Sequence, residues 1–291
     1  MVKTNLKVKN QESRANIKVV DKNAIKTTSY SDINLKEWRE YDHVKTDTLW
    51  EFPNRLKDGG HSNEYHGNYI PQIAQQIYER YTKKDDIVLD LFFGSGTSGI
   101  EAINMSRRCI GVELKDELAE KVSEKFTPKQ LVTDVNIICA DSASELAKEK
   151  IKARLDILGR KNAQLLMLHP PYDDIIKFSD KKEDLSNCAS TEEFYDLFEK
   201  VAKNGYDLLE KGRFACLIIG DKYANSQHIP LGFECMARMN KLGFITKAII
   251  IKDMQGNERA KGKTANLWRY RALAGGFYIF KHEYVMVFQK V

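Results

Sequence analysis

The chain has 291 residues, 42% of them hydrophobic, which supports a sizeable packed core and excludes global disorder. Its 46 basic and 41 acidic residues leave a net charge of +5, a mild excess that suits a polyanion-binding protein without singling one out. The five cysteines form no C-x-x-C or Cys/His cluster, so neither a metal site nor a disulfide framework is expected. Cys109, Cys139 and Cys216 read as buried thiols in apolar runs. The polar, basic opening MVKTNLKVKN lacks a signal-peptide pattern and no apolar run reaches membrane-span length, so a cytoplasmic protein with no membrane partner is expected.

Residues 1–45 are polar, basic and weakly periodic, and read as a flexible or peripheral arm ahead of one folded domain over 46–291. Ile70, Ile73, Ile77 and Tyr81 recur at helical spacing in IPQIAQQIYERY. IVLDLFF (87–93) is a buried strand that ends at glycines, followed by a helix over 98–106 and a strand CIGVEL (109–114). The helical KDELAEKVSEKF, the strand VNIICAD (135–141) and the helical SASELAKEKIKARL come next. LLMLHPPY (165–172) opens with a fourth strand, and 191–212 reads as a helix stopped by glycine. FACLIIGD (214–221) is a fifth strand, 229–243 a helix, FITKAIIIK (244–252) a sixth strand and EYVMVFQK (283–290) a seventh. The long polar loop before the last strand shows no clear helix and suits an antiparallel strand inserted late. The whole is α/β: a Rossmann-like, mostly parallel seven-stranded sheet with helices on both faces and loops inserted at 173–190 and 253–277.

Two segments carry chemistry. In DLFFGSGTSG (90–99), Gly94 and Gly96 let the backbone turn tightly and approach a ligand, and the next helix presents free amides. Glu113, about twenty positions on, can accept ribose hydroxyls. Gly99 completes a G-x-G-x-x-G spacing, so this segment alone also admits a dinucleotide. In LLMLHPPYDD (165–174), Pro170 and Pro171 stop the strand and stiffen the backbone, fixing His169, the neighbouring carbonyls and the Tyr172 ring. Such a corner suits an aromatic amine, whose delocalised lone pair becomes nucleophilic when acceptors hold its hydrogens. Tyr172 can stack on a base that has left its duplex.

VLDLFFGSGTSGIEA followed by RRCIGVEL, together with LLMLHPPY, resembles the cofactor and catalytic blocks of the DNA amino-methyltransferases, which make N6-methyladenine or N4-methylcytosine. HPPY is a variant of that family's (Asp/Asn/Ser)-Pro-Pro-(Tyr/Phe/Trp). HGNYIPQIAQQIYERY (66–81) resembles the helix before the cofactor block, and HEYVMVFQK (282–290) the closing strand, so the likeness covers roughly residues 60 to 291. It implies S-adenosyl-L-methionine as methyl donor, with His66, Pro71, Asp90, Phe92, Gly94, Ser95, Gly96 and Thr97 around its methionine part. It places Glu113 at the ribose, Asp141 at the adenine amino group and Leu114 among the cofactor-binding residues. His169, Pro170, Pro171 and Tyr172 would then position the target base.

Two departures stand out. His169 replaces the usual Asp, Asn or Ser; a neutral imidazole keeps one acceptor nitrogen, whereas an imidazolium has none. No large block follows the catalytic half, so target recognition falls to the N-terminal arm, the loop 173–190 or the loop 253–277. That last loop interleaves Arg259, Lys261, Lys263, Arg269 and Arg271 with Trp268 and Tyr270, a mixture that suits phosphate contact and base stacking. The resemblance implies a site-specific DNA methyltransferase acting in restriction-modification, adenine N6 ahead of cytosine N4 because it is the commoner product. A restriction endonuclease or specificity subunit is the implied partner, and the oligomeric state is open. An RNA or tRNA base methyltransferase on the same fold is the close alternative. A nucleic-acid-binding relative that has lost catalysis is the distant one, raised by His169.

Overall fold

The structure, a computed structural model, describes residues 26–57, 59–61, 67–127, 134–254 and 265–291. In chain order its main elements are β1 (Leu49–Trp50), α1 (Pro71–Tyr81), β2 (Ile87–Asp90), α2 (Thr97–Asn104), β3 (Arg108–Glu113) and α3 (Asp116–Lys125). They continue with β4 (Val135–Cys139), α4 (Glu145–Ile157), β5 (Ala163–Leu168), α5 (Thr191–Leu208) and β6 (Leu209–Ile219). The last are β7 (Lys222–Ala224), β8 (Gln227–Ile229), α6 (Leu231–Lys241), β9 (Phe244–Asp253), α7 (Ala265–Gly275) and β10 (His282–Lys290).

The apolar runs assemble into one sheet in the order β1-β9-β10-β6-β5-β2-β3-β4, and β10 is antiparallel to both its neighbours. The remaining pairs are parallel. Alternation along the strands splits the core in two. Ile87, Leu89 and Leu166 face Ile151 of α4, Phe194 and Phe198 of α5 and Met239 of α6. Val88, Cys109 and Leu165 face Ile73 and Ile77 of α1, Ala102 of α2 and Val122 of α3. Both faces are therefore covered, which is why the central strands lack an alternating polar face.

Four features differ from the sequence expectation. The sheet has eight strands rather than seven, because β1 adds beside β9 through Leu49↔Ile251 and Trp50↔Lys252. A two-residue strand is too short for periodicity to reveal, although Trp50 is buried at 2% exposure. The helix over 191–212 stops at Leu208, since Leu209 already pairs with Ala163 and Glu210 accepts from Gln164 Nε2. Before α6 the chain makes the hairpin β7/β8, turned by Asn225 and Ser226, both at positive φ. The loop 253–277 contains α7, whose apolar residues Leu267, Trp268 and Leu273 follow no helical stripe.

Of the arm, residues 1–25 lie outside the described residues. Residues 26–45 lie across α1: Tyr30 packs edge-on against Phe214 at 4.8 Å, Ser31 Oγ donates to Glu79 O, and His43 Nε2 lies 3.0 Å from the Glu79 carboxylate. Cys109 and Cys216 are buried; Cys139 is only half-buried and donates to Asp116 at 3.1 Å, because it sits at the open end of edge strand β4. No helix among the described residues is long and apolar enough to cross a membrane.

Candidate active site

The chain leaves β2 toward β3 and β4 on one side, then returns to β5 and β6 on the other. The carboxyl ends of β2 and β5, paired at Asp90↔Met167, are thus where consecutive connections part, the usual ligand crevice of an open α/β sheet. A cavity of about 740 Å³ opens there. The glycine turn and the HPPY corner, 73 residues apart from Thr97 to Pro170, share its wall because their strands are neighbours.

The glycine turn is held from beneath. Phe93 lies against Gly111 so closely that a Cβ there would fall 2.2 Å from its ring. The Phe93 amide donates to Val112 O at 3.0 Å, tying the turn to β3. Glu113 accepts the Gly94 amide and the Lys115 amide, each at 2.9 Å, which aims its carboxyl at the cavity. Burial raises the Glu113 pKa. Asp90 lies under the turn, not in its wall: its carboxylate accepts from the Phe92 amide at 2.9 Å and from Ser98 Oγ. Burial pushes Asp90 up to about 6. Because Ser98 spends its hydrogen on Asp90, Tyr69 OH donates to Ser98 Oγ at 2.5 Å.

At the HPPY corner His169, Pro170, Pro171 and Tyr172 all line the cavity. The Tyr172 ring crosses Gly220, where a Cβ would lie 2.9 Å away. Its hydroxyl donates to Glu283 Oε2 at 2.8 Å and lies 3.4 Å from His169 Nε2. Lys252 Nζ donates to Glu283 Oε1 at 2.8 Å. Burial, helped by the charges of Lys252 and Arg55 and opposed by Glu283, lowers the His169 pKa to about 4, so the imidazole is neutral at physiological pH. Burial opposes the charge of Glu283, but Lys252 outweighs it and holds the carboxyl below its usual range.

Of the residues that the resemblance assigns to the cofactor, Phe92, Gly94, Thr97, Glu113, Leu114 and Asp141 line the cavity, and Asp141 is fixed by the Ala143 amide at 2.9 Å. Pro71, Asp90, Ser95 and Gly96 do not reach it. Pro71 opens α1 and is buried, and Ser95 is buried with its carbonyl accepting from Lys125. Gly96 has φ +89° and points toward Val122 and Phe126, so glycine is needed there for the turn and for packing against α3, not for room beside a ligand. His66, Arg259, Lys261 and Lys263 lie outside the described residues. Trp268, Arg269, Tyr270 and Arg271 fall on α7, away from the cavity wall, with Arg271 over the Trp268 ring at 5.3 Å and Tyr270 exposed.

Sequence reasoning missed Tyr69, Lys252 and Glu283. Tyr69 is buried and meets the His169 ring edge-on at 5.3 Å. Lys252 and Glu283 are direct cross-strand partners, 2% and 7% exposed. The available signal was a charge at the end of each of two apolar runs, Lys252 closing FITKAIIIK and Glu283 near the start of HEYVMVFQK. The loop 173–190 closes one side: Lys181 Nζ donates to Leu114 O at 2.8 Å, and Ile175, Phe178 and Asp184 face the cavity.

A family model described as DNA methylase matches residues 2–125 and 163–291. The Mod subunit of a probable type III restriction-modification enzyme, HindVI, from Haemophilus influenzae is 34% identical over 33% of this chain and 13% of its own length. The type II methyltransferase M.MjaII from Methanocaldococcus jannaschii is 29% identical over 33% of this chain and 21% of its own length. The matched part of the chain thus spans roughly an eighth to a fifth of these curated relatives. Among solved structures, TrmN from Thermus thermophilus superposes with a TM-score of 0.47 at 15% identity, over 78% of this chain and 50% of its own.

Proposed function

The chain belongs to the DNA methylase family, and from that premise we propose that it transfers the methyl group of S-adenosylmethionine to the exocyclic amino nitrogen of a DNA base, adenine N6 ahead of cytosine N4. The observation that carries the reading is the meeting of glycine turn and HPPY corner on one cavity. The residues fit the donor. Glu113 and Asp141 stand as fixed acceptors for ribose hydroxyls and an adenine amino group, and Phe92 adds an apolar wall beside Gly94 and Thr97. When bound, S-adenosylmethionine supplies an electrophilic methyl group on a sulfonium.

The chain's own residues do the rest. The neutral His169 accepts one hydrogen of the target amine, and the rigid Pro170–Pro171 backbone holds the base in register. With one hydrogen held by His169 and the other by a backbone carbonyl of the proline corner, the nitrogen lone pair can leave conjugation and face the methyl carbon. The Tyr172 ring supports a flipped base. On this reading α7 touches the nucleic acid: Arg269 and Arg271 meet phosphates, and Trp268 and Tyr270 offer ring faces. Arg259, Lys261 and Lys263 extend the same basic segment in sequence. A restriction endonuclease or specificity subunit is the proposed partner, by extension from the Mod relative.

Radiolabelled methyl transfer to unmethylated duplex DNA, single-stranded DNA and tRNA, followed by nucleoside mass spectrometry, tests the proposal. N6-methyladenine in DNA is expected. Transfer to tRNA alone would overturn the DNA reading. Binding of S-adenosylmethionine without transfer to any substrate would favour a catalytically inactive relative.

A further inference from the structure

The HPPY corner ends in a chain of polar groups whose hydrogen-bond directions are all set by chemistry. Lys252 Nζ has only hydrogens to give, and gives one to Glu283 Oε1 at 2.8 Å. Glu283, kept ionised by that contact, has only lone pairs, so Oε2 takes the single hydrogen of Tyr172 at 2.8 Å. The Tyr172 oxygen is left with lone pairs alone. His169 Nε2 lies 3.4 Å from it, at the long end for a hydrogen bond. Two lone pairs facing each other repel, so the contact is favourable only when Nε2 carries the ring hydrogen.

A buried ion pair is a poor source of stability, because an apolar pair of similar volume serves as well or better. Lys252 and Glu283 are nevertheless exact register partners across β9 and β10, nearly solvent-free, and placed against the cavity wall. The strand register makes them a rigid reference for whatever hangs from them. What hangs from them is Tyr172 and, through it, His169.

We propose that Glu283, anchored by Lys252, fixes the tautomer of His169 through Tyr172, placing the ring hydrogen on Nε2 and leaving Nδ1 as the acceptor for the target amine. Glu283 and Lys252 are positioning residues; His169 touches the substrate. The inference rests on the reading of His169 given under Proposed function.

Glu283→Gln tests it without changing shape. Lys252 claims the amide oxygen, so the amide NH₂ turns to the Tyr172 oxygen. The Tyr172 hydrogen then points at His169 Nε2 and draws the ring hydrogen to Nδ1. Turnover is expected to fall on the order of 100-fold, the usual worth of a correctly protonated acid-base group, with the KM for S-adenosylmethionine unchanged. Adding Tyr172→Phe removes the misdirected donor and should recover part of the lost kcat. Packing damage alone would instead make the double variant no better than Glu283→Gln, which would overturn the proposal. ¹⁵N spectra of histidine-labelled protein at pH 7.5, with His169 identified among the six histidines by its loss in His169→Asn, read the tautomer directly. Wild type should show a protonated Nε2 and a bare Nδ1, and the reverse would overturn the proposal. If wild type methylates no nucleic acid, the functional reading fails while the spectrum still decides the tautomer.

Discussion

Lowering the pH from 7.5 to 4.5 perturbs His169 in two measurable ways. An ordinary histidine titrates at 6.5, whereas burial takes His169 to about 4. Transfer should therefore keep its rate through pH 6.5 and fall along an acid limb only near pH 4. The same displacement is a stability statement. Below pH 6.5 the unfolded chain takes up the His169 proton and the folded chain does not. Stability contributed by the neutral imidazole is thus full above 6.5 and is lost as pH falls toward 4. At about 1.36 kcal/mol per pH unit, the two units from 6.5 to 4.5 amount to about 2.7 kcal/mol. Asp90 acts in the opposite sense: with a folded pKa near 6 it binds a proton that the unfolded chain does not, so it stabilises as pH falls from 6 toward 3.8. The two nearly cancel in wild type, so a difference measurement is needed. Urea unfolding of wild type and His169→Asn should show the variant gaining about 2.7 kcal/mol on wild type between pH 7.5 and 4.5. Single-turnover rates over the same range supply the kinetic arm. A wild-type acid limb centred near 6.5, together with a pH-independent stability difference, would refute the reasoning.

Gly111→Ala should destabilise the fold by about 1–3 kcal/mol and weaken S-adenosylmethionine binding, since its Cβ would stand 2.2 Å from the Phe93 ring that seats the glycine turn; chemical unfolding and calorimetry read the two effects. Lys222→Met should cost about 3–5 kcal/mol, because Asp173, buried and at φ +53°, loses the 2.7 Å contact that neutralises it just after HPPY; adding Asp173→Asn should restore part of the urea midpoint. Replacing Arg269 and Arg271 by Ala should weaken binding to all DNA sequences alike and reduce the salt dependence by up to about two units of slope, measured by fluorescence anisotropy across salt concentrations.

Much of this fold was legible because its central strands are buried on both faces and flanked by helices with regular apolar spacing. β2, β3, β4 and β5 lie within a few residues of their expected positions for that reason. The two motifs were legible because each lies at a strand end, where glycine or proline sets the backbone. What escaped notice depends on pairing across the sheet. β1 is a strand only because β9 offers an open edge, and α7 has no apolar stripe to announce it. The family resemblance placed Asp90 beside the cofactor, yet its carboxylate accepts from Ser98 Oγ and the Phe92 amide beneath the turn. Glu283 lies 111 residues from Tyr172, and no local pattern connects them.

That missed contact bears on the residue that departs from the family pattern. A carboxylate at position 169 would stand one tyrosine away from the ionised Glu283, and two like charges sharing a low-dielectric wall raise each other's pKa. One of the pair would then hold a proton, and a protonated acid accepts only through its carbonyl oxygen, more weakly than a carboxylate, while adding an O–H donor beside the amine. A neutral imidazole supplies a lone pair without a second negative charge. Burial keeps it neutral against the pull of Glu283, and Lys252 both balances that carboxylate and lowers the histidine further. The histidine at 169 and the charged pair at 252 and 283 are therefore two parts of one electrostatic arrangement, and the proposed role of His169 as a neutral acceptor depends on the charges that the wall around it carries.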